Sequence, residues 1–476
     1  MSVEYPFTRT IAIVGGGFSG TAVAIHLLRK GTAPLRVVLI ERKPPVGGGV
    51  AYGTKSPDHL LNVSADQMGL WDDRPGDFAR WLHEHRDREG LPDSFDEKGF
   101  LPRRLYGAYV GATLNENEAE APEGVELERI EGEVIDLEEH TRGGGLLRLQ
   151  DGREIYAEQV VLALGNLPGG YPIPRPLKIY HSSRYVHVPW RPDALGGIGN
   201  EDDVLLIGQG LTATDLMLEL NRRGHRGTIH ALSRRGVRPQ VHQAVEPYPS
   251  FIDQPQLPTT SRELVRRVRA EVRAASRRGI DWRGVVDSLR PFSAAIWQGF
   301  STEERSRFLR YVRPVWEGHR HRIAPHLADV LATMENEGRL KFHAGRLQTL
   351  DVDEDGVDAV FRRRGTIQHV ALRVVKVINC TGPRTDYSKY QHPLFIHLLA
   401  RGLIDHDPFA LGILARPTGE VLRYRGEPVG WLHTLGAPLK GVLWETTAVR
   451  EIRVQARRLA ERLLGVDVAG QQLTTG

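Results

Sequence analysis

The first clear pattern along the chain is a short apolar run that stops at glycine. Ile11-Ala12-Ile13-Val14 leads into Gly15-Gly16-Gly17-Phe18-Ser19-Gly20. Ala22, Ala24, Ile25 and Leu28 then recur at helical spacing, predicting a helix over 21–30 that Gly31 stops. Leu35-Arg36-Val37-Val38-Leu39-Ile40 reads as a second strand, closed by Glu41 and Arg42. The same pattern returns downstream. Val204-Leu205-Leu206-Ile207 leads into Gly208-Gln209-Gly210-Leu211-Thr212-Ala213. A helix is predicted over 213–223, and the strand 228–232 ends at Ser233-Arg234-Arg235. Short buried strands alternating with helices predict an α/β fold with two Rossmann-like halves.

Between and after these units the pattern varies. Residues 46–69 are glycine-rich and read as a loop, ending in His59-Leu60-Leu61-Asn62-Val63. Phe78, Trp81 and Leu82 mark a helix over 76–86. Residues 125–165 read as strands joined by glycine turns, ending in an apolar strand and Gly165. A matching strand runs over 374–381 to Gly382. Such strand-then-glycine segments read as places where the chain crosses between domains. The layout expected is a discontinuous first domain, residues 1–195 plus 345–476, built on the first glycine turn, with a second domain at 196–344 built on the other. The latter carries an arginine-rich helical insertion at about 250–337, where Thr260 with Glu263 and Ser301 with Glu304 look like capping boxes. A last helix bears Ile452, Ala456, Leu459 and Leu463 on one face, with Thr446 or Thr447 as its natural N-cap.

The glycine turns carry the chemistry. The first glycine allows the sharp turn, the second lets a pyrophosphate approach the backbone, and the third lets helix and strand pack closely. The helix N-terminus then offers free N–H groups to the phosphates. Glu41 lies 21 residues after Gly20, where a carboxylate accepts from a ribose 2′-hydroxyl and repels a 2′-phosphate. The first site therefore suits FAD or NAD. At the second site Ser233, Arg234 and Arg235 replace the acid, and guanidinium groups suit the extra phosphate of NADPH, with NADH still possible. Two dinucleotide sites in one chain point to electron transfer from one cofactor to the other. Arg103 or Arg104 could reach a pyrophosphate or form an ordinary exposed pair.

Composition narrows the picture. The chain has 476 residues, enough for two or three domains, with 63 basic against 59 acidic side chains. So small a net charge does not argue for nucleic acid. No apolar run is long enough for a membrane span, residues 1–10 contain no apolar leader, and a cytoplasmic protein is expected. The single cysteine, Cys380, excludes an intrachain redox pair and reads as core. His319, Arg320, His321 and Arg322 form a dense cationic cluster. No cysteine or acid completes a metal set there. It is either a plain cationic surface or, through His319, Arg320 and Arg322, a pocket for an anionic substrate.

The chain resembles bacterial FAD/NAD(P)-binding proteins related to flavin-dependent monooxygenases. The shared pieces are Gly15–Gly20, Ala51-Tyr52-Gly53, His59–Val63, Trp316 with His319–Arg322, Leu435-Gly436, and Trp444-Glu445-Thr446-Thr447 with Glu451-Ile452-Arg453. The resemblance implies FAD at Gly15, Gly17, Phe18, Ser19, Gly20, Glu41, Arg42, Asn62, Gly165, Gly382, Trp444 and Thr446. It implies NADPH at Gly208, Gly210, Leu211, Thr212, Ser233, Arg234 and Arg235. It further implies a monooxygenase that takes molecular oxygen and a small nitrogen-rich or anionic substrate. Urate comes first and an amino-acid amine second, and the alternative of another class is a flavin reductase or sensor serving a protein partner. No acid–base side chain is singled out, because the cofactor carries the chemistry.

Overall fold

The computed structural model describes residues 9–92, 94–253 and 256–465. Residues 1–8, most of the stretch read as lacking a leader, lie outside them. The chain divides into two compact units. The first takes the residues up to Pro57, Val63–Leu167 and those from Thr385 onward; the second takes Asp58–Asn62 and Pro168–Arg384.

The first unit opens with strand β1 (Thr10–Val14), helix α1 (Phe18–Lys30) and β2 (Leu35–Glu41). Helix α1 begins three residues earlier than its apolar spacing predicts, because Gly17 is itself the N-cap. The glycine-rich loop contains a single helical turn, Gly49–Tyr52. Helices α2 (Asp77–Glu89) and α3 (Arg103–Ala119) follow, then β3 (Val125–Glu131). Strands β4 (Val134–Glu139), β5 (Gly145–Leu149) and β6 (Glu154–Ala157) form a separate antiparallel sheet before β7 (Gln159–Leu162). In the main sheet β1 lies between β2 and β7, parallel to both, with Ile13 opposite Leu39 and Val161. The strands are buried on both faces, which explains their unbroken apolar runs.

The second unit repeats the arrangement. It contains β8 (Tyr185–Val186), β9 (Val204–Ile207), helix α4 (Leu211–Arg222) and β10 (Ile229–Ser233). The arginine-rich insertion holds α5 (Ser261–Arg277), α6 (Thr302–Arg307) and α7 (Arg313–Arg320), and α8 (Pro325–Asn336) follows. The sheet is completed by β11 (Leu340–Val352), β12 (Val357–Arg363), β13 (His369–Val374) and β14 (Lys376–Asn379). Strand β9 lies between β10 and β14, parallel to both.

The expected boundaries need correction. A break at 344/345 falls inside β11, which pairs with β10 and continues unbroken to Val352. The residues from Pro168 to 195 also belong to the second unit, where β8 pairs with β14 and Leu195 packs with Val204 in the core. The chain crosses instead just beyond Gly165 and Gly382, where the strand-then-glycine segments stand.

From Thr385 the chain rejoins the first unit. Strand β15 (Glu420–Leu422) runs antiparallel to β16 (Pro428–Thr434), and β16 runs parallel to β7. Helix α9 (Val449–Leu463) closes the unit with Ile452, Ala456, Leu459 and Leu463 buried. Burying Ile452, Leu459 and Leu463 is worth about 1.5–3 kcal/mol each. Its N-cap is Ala448, with no side-chain cap, so neither Thr446 nor Thr447 caps it. The capping boxes are also half-formed. Thr260 and Ser301 do accept from the backbone of Glu263 and Glu304. The Glu304 carboxylate, however, turns to Ser261, accepting from its N–H and its hydroxyl at 2.8 Å, and so ties α6 to the start of α5.

Candidate functional site: two glycine turns

At the first turn Gly15 adopts φ +109°, and its N–H donates to the Ile40 carbonyl at 2.9 Å. A Cβ on Gly15 would lie 2.4 Å from the Ala163 carbonyl oxygen, on the strand beside it. A Cβ on Gly20 would lie 1.9 Å from the Gly15 carbonyl oxygen. Backbone therefore closes on backbone, and only glycine fits either position. Gly17 caps α1 with no side chain satisfying the helix N–H groups, and no acid stands in the first turn. The exposed donors and the dipole leave a cradle for an anion. Glu41 accepts from the Gly16 N–H through Oε2 at 2.7 Å and from the Lys43 N–H through Oε1 at 2.8 Å. A carboxylate has about four lone-pair directions, so it retains capacity for ribose hydroxyls. These residues fit a dinucleotide.

The structure brings the C-terminal segment to this turn. Ser19 is buried against Gly436, whose Cβ position lies 2.9 Å from Ser19 Oγ. Gly436 donates to Gln455 Oε1, Gln455 donates to Thr446 Oγ1, and Thr446 donates to the Gly436 carbonyl, all within 2.8–3.0 Å. Thr446 thus holds a loop, where the sequence suggested a helix cap. Gln455 escaped the sequence reading. Its signal was a polar residue on the apolar stripe, three positions after Ile452 and four before Leu459. Trp444 is buried with φ +61°, a strained backbone for a bulky residue, and the Lys440 ammonium sits 5.1 Å from its ring. Phe18 packs among Tyr52 and Tyr106.

Other expected contacts fall elsewhere. Arg42 pairs with Glu133 at 3.0 Å, and Arg104 pairs with Glu89 at 3.3 Å. Asn62 belongs to the segment that groups with the second unit. There the neighbouring His59 pairs with Glu219 of α4 at 3.1 Å and meets the Trp190 ring edge-on. Gly165 and Gly382, at φ +60° and +85°, have open space where a Cβ would stand.

The second turn copies the first. Gly208 has φ +132° and donates to the Leu232 carbonyl at 2.8 Å, and its Cβ would lie 2.1 Å from the Cys380 carbonyl oxygen. Gly210 caps α4 with no side-chain cap and open space beside it. Ala213, fully buried, takes the third position, so this turn accommodates a methyl group that the first cannot. Leu211 and Thr212 are half-buried in the opening turn. Gln209 stitches the loop together. Its Nε2 donates to the carbonyls of Ala231 and His343 at 2.7 and 2.9 Å, and its Oε1 accepts from the Ser233 hydroxyl at 2.9 Å. Ser233 also accepts from the Gly236 N–H. Arg234 is exposed, whereas the Arg235 guanidinium donates to the Arg310 carbonyl. Cys380 is buried at the end of β14, and burial pushes its thiol up.

The cationic cluster separates into unlike parts. Arg322 is buried, its guanidinium forked on Asp287 with both contacts at 2.9 Å and its Nε donating to the His319 carbonyl. It is a structural clamp and not a grip for an anionic substrate. The His319 ring meets Trp282 edge-on at 4.9 Å. Among the described residues no group of three His, Cys, Asp or Glu is placed to hold a metal ion, and no helix is long and apolar enough to cross a membrane.

A family model described as FAD-NAD(P)-binding matches residues 12–167. Over this segment the chain is similar to FAD/NAD(P)-binding proteins. A nitrosuccinic acid synthase from Aspergillus oryzae is 30% identical over 171 residues, a stretch that takes in 33% of this chain and 26% of that protein. The chain thus matches about a quarter of the length of that curated relative. Among solved structures, the ornithine N-hydroxylase of Kutzneria sp. 744, in complex with reduced FAD, NADP+ and L-ornithine, superposes with a TM-score of 0.64 at 14% identity. The match covers 96% of this chain and 99% of that one. The L-lysine 6-monooxygenase of Pseudomonas syringae gives a TM-score of 0.62 at 16% identity, over 96% and 99%. At these identities the likeness is one of fold.

Proposed function

We propose that the protein is an FAD-dependent, NADPH-consuming monooxygenase that oxidises the amino nitrogen of a small, amino-acid-like substrate. One observation carries the reading. The chain builds the same uncapped glycine turn twice, once in each unit, while its single cysteine is buried with a raised thiol pKa. Electrons passed between two dinucleotides have no thiol pair to leave through. Gly15, Gly17, Gly20 and Glu41 would hold the FAD, and Gly208, Gly210 and Arg234 the NADPH. Bound flavin would supply the chemistry, accepting two electrons from NADPH and activating molecular oxygen. The protein's residues bind and orient: helix dipoles face the phosphates, and Glu41 anchors a ribose. The relatives favour an amine over urate, since their names specify ornithine and lysine oxidation and the synthesis of nitrosuccinic acid.

The test is a panel of L-ornithine, L-lysine, cadaverine, L-aspartate and urate. NADPH oxidation should be slow alone and several-fold faster with one of the amines, with one oxygen consumed per product and a product one oxygen atom heavier. Urate turnover would restore the purine reading. Transfer of electrons to a protein acceptor, with no oxygen uptake stimulated by any of the five, would make the protein a reductase.

A further inference from the structure

Helix α5 carries Arg262, Arg266, Arg269, Arg273 and Arg277, and all five are exposed. At 3.6 residues per turn they fall within an arc of about 80° and along about 22 Å of helix. The opposite side is occupied. Ser261, Leu264 and Ala275 are buried, and Val265, Val268 and Val272 are half-buried on the same side. The arginines therefore form a narrow stripe facing solvent.

Other arginines of the chain find carboxylates. Arg36, Arg129, Arg322, Arg373 and Arg401 are all in ion pairs. Among the described residues none of the five on the stripe closes an ion pair or a hydrogen bond. The nearest acid on the helix, Glu263, is already bound by Arg267. Like charges three and four residues apart weaken a helix. Four such steps in succession, offset only where Glu263 stands near Arg266, leave the face poised for an external anion.

We infer that this stripe docks an acidic α-helix of a partner protein. Spacing selects that partner: the guanidinium groups recur with the helix pitch, as do carboxylates at i, i+3 and i+4 on another helix. Exposed apolar groups stand on neighbouring elements. The turn Phe308–Val312 packs against α5, and Tyr311 within it is 59% exposed, with Val315 49% exposed on α7. A membrane surface fits less well, because the apolar side of α5 is turned inward. Nucleic acid fits less well too, because no aromatic side chain interrupts the stripe for base stacking.

Four probes test this on the full flavin-loaded protein. They are a labelled alanine-based helical peptide with glutamates on one face, a peptide of the same composition with glutamates spread around the helix, a single-stranded oligothymidine of equal charge, and phosphatidylserine-containing vesicles. In 0.15 M salt the one-faced peptide should bind at least about tenfold more tightly than the spread peptide or the oligothymidine. Reversing charge in R266E/R269E/R273E should weaken it by about thirtyfold or more, with flavin content and NADPH oxidation as in the parent. If that variant fails to fold, R269Q/R273Q should still weaken the peptide by about fivefold. Equal binding of the two peptides, tighter binding of oligothymidine or vesicles, or peptide affinity unchanged in the folded variants would overturn the assignment.

Discussion

Glycine spacing announces both turns, but only the structure ranks the glycines. At Gly20 a Cβ would sit 1.9 Å from a backbone oxygen, and backbone has nowhere to go. Gly20→Ala should cost at least about 3 kcal/mol and strip the flavin, read by thermal melting and visible absorbance. Gly210 has φ −88° and nothing within 4 Å of its Cβ position. Gly210→Ala should therefore melt within about 0.5 kcal/mol of the parent and keep its flavin. Its methyl group would still occupy the approach to a pyrophosphate, so NADP+ affinity should fall by about tenfold. Arg234 and Arg235 look equivalent in sequence and are not, because the Arg235 guanidinium is spent on the Arg310 carbonyl. An exposed charge-assisted contact is worth about 1–2 kcal/mol, so Arg234→Ala should weaken 2′,5′-ADP binding by about 5–30-fold. Arg235→Ala should change it by less than about threefold. Equal losses in calorimetric titration would refute the distinction. Gln209, which holds Ser233 in place, had no signature beyond a variable position between two glycines.

Elements were legible where the pattern was local and misread where distant partners decided it. The apolar face of α9 was plain in its spacing. Its start was not, because Thr446 has a partner in Gly436 that sequence cannot locate. Glu304 behaves alike: capping boxes are local rules, and a buried contact to Ser261 wins. Strand β11 crosses the expected domain boundary because its first part pairs with β10 and its second with β12, and neither pairing leaves a break in composition. The loop bridge through Gln455 gives an element-scale test. Gln455→Leu removes the acceptor of the Gly436 N–H and the donor to Thr446, at a cost of about 1–2 kcal/mol. Gln455→Glu retains the acceptor and should recover part of it. If the loop borders the flavin, the leucine variant should also release flavin about threefold more readily on dilution. A normal melting curve for the leucine variant would remove this loop from the account.

At the scale of the whole molecule, each unit sets its glycine-bearing strand between the strand that follows it and the strand that returns, and those returning strands end beside Gly165 and Gly382. The sequence carries this duplication openly, because each strand is an unbroken apolar run. The environment of the core histidines is hidden in it, since a histidine reads the same inside and outside. Burial holds His26, His343 and His433 down at about 4 from an ordinary 6.5. The His26 ring lies edge-on to Trp71, His343 meets His230 at 3.0 Å, and His433 meets Gln159 at 2.8 Å. For a base with a lowered folded pKa, the unfolded chain takes up protons first. Their stabilising contribution is therefore complete above about 6.5 and is lost as pH falls toward 4. These three groups contribute at most about 4 kcal/mol per pH unit to the slope near pH 5. Melting temperature should be flat near neutrality and fall steeply between pH 6.5 and 5, before the ion-paired carboxylates titrate. His433→Gln, which keeps a donor for Gln159, should reduce that slope by about 1 kcal/mol per pH unit near pH 5. A melting temperature independent of pH across this window would mean that these histidines are not buried neutral.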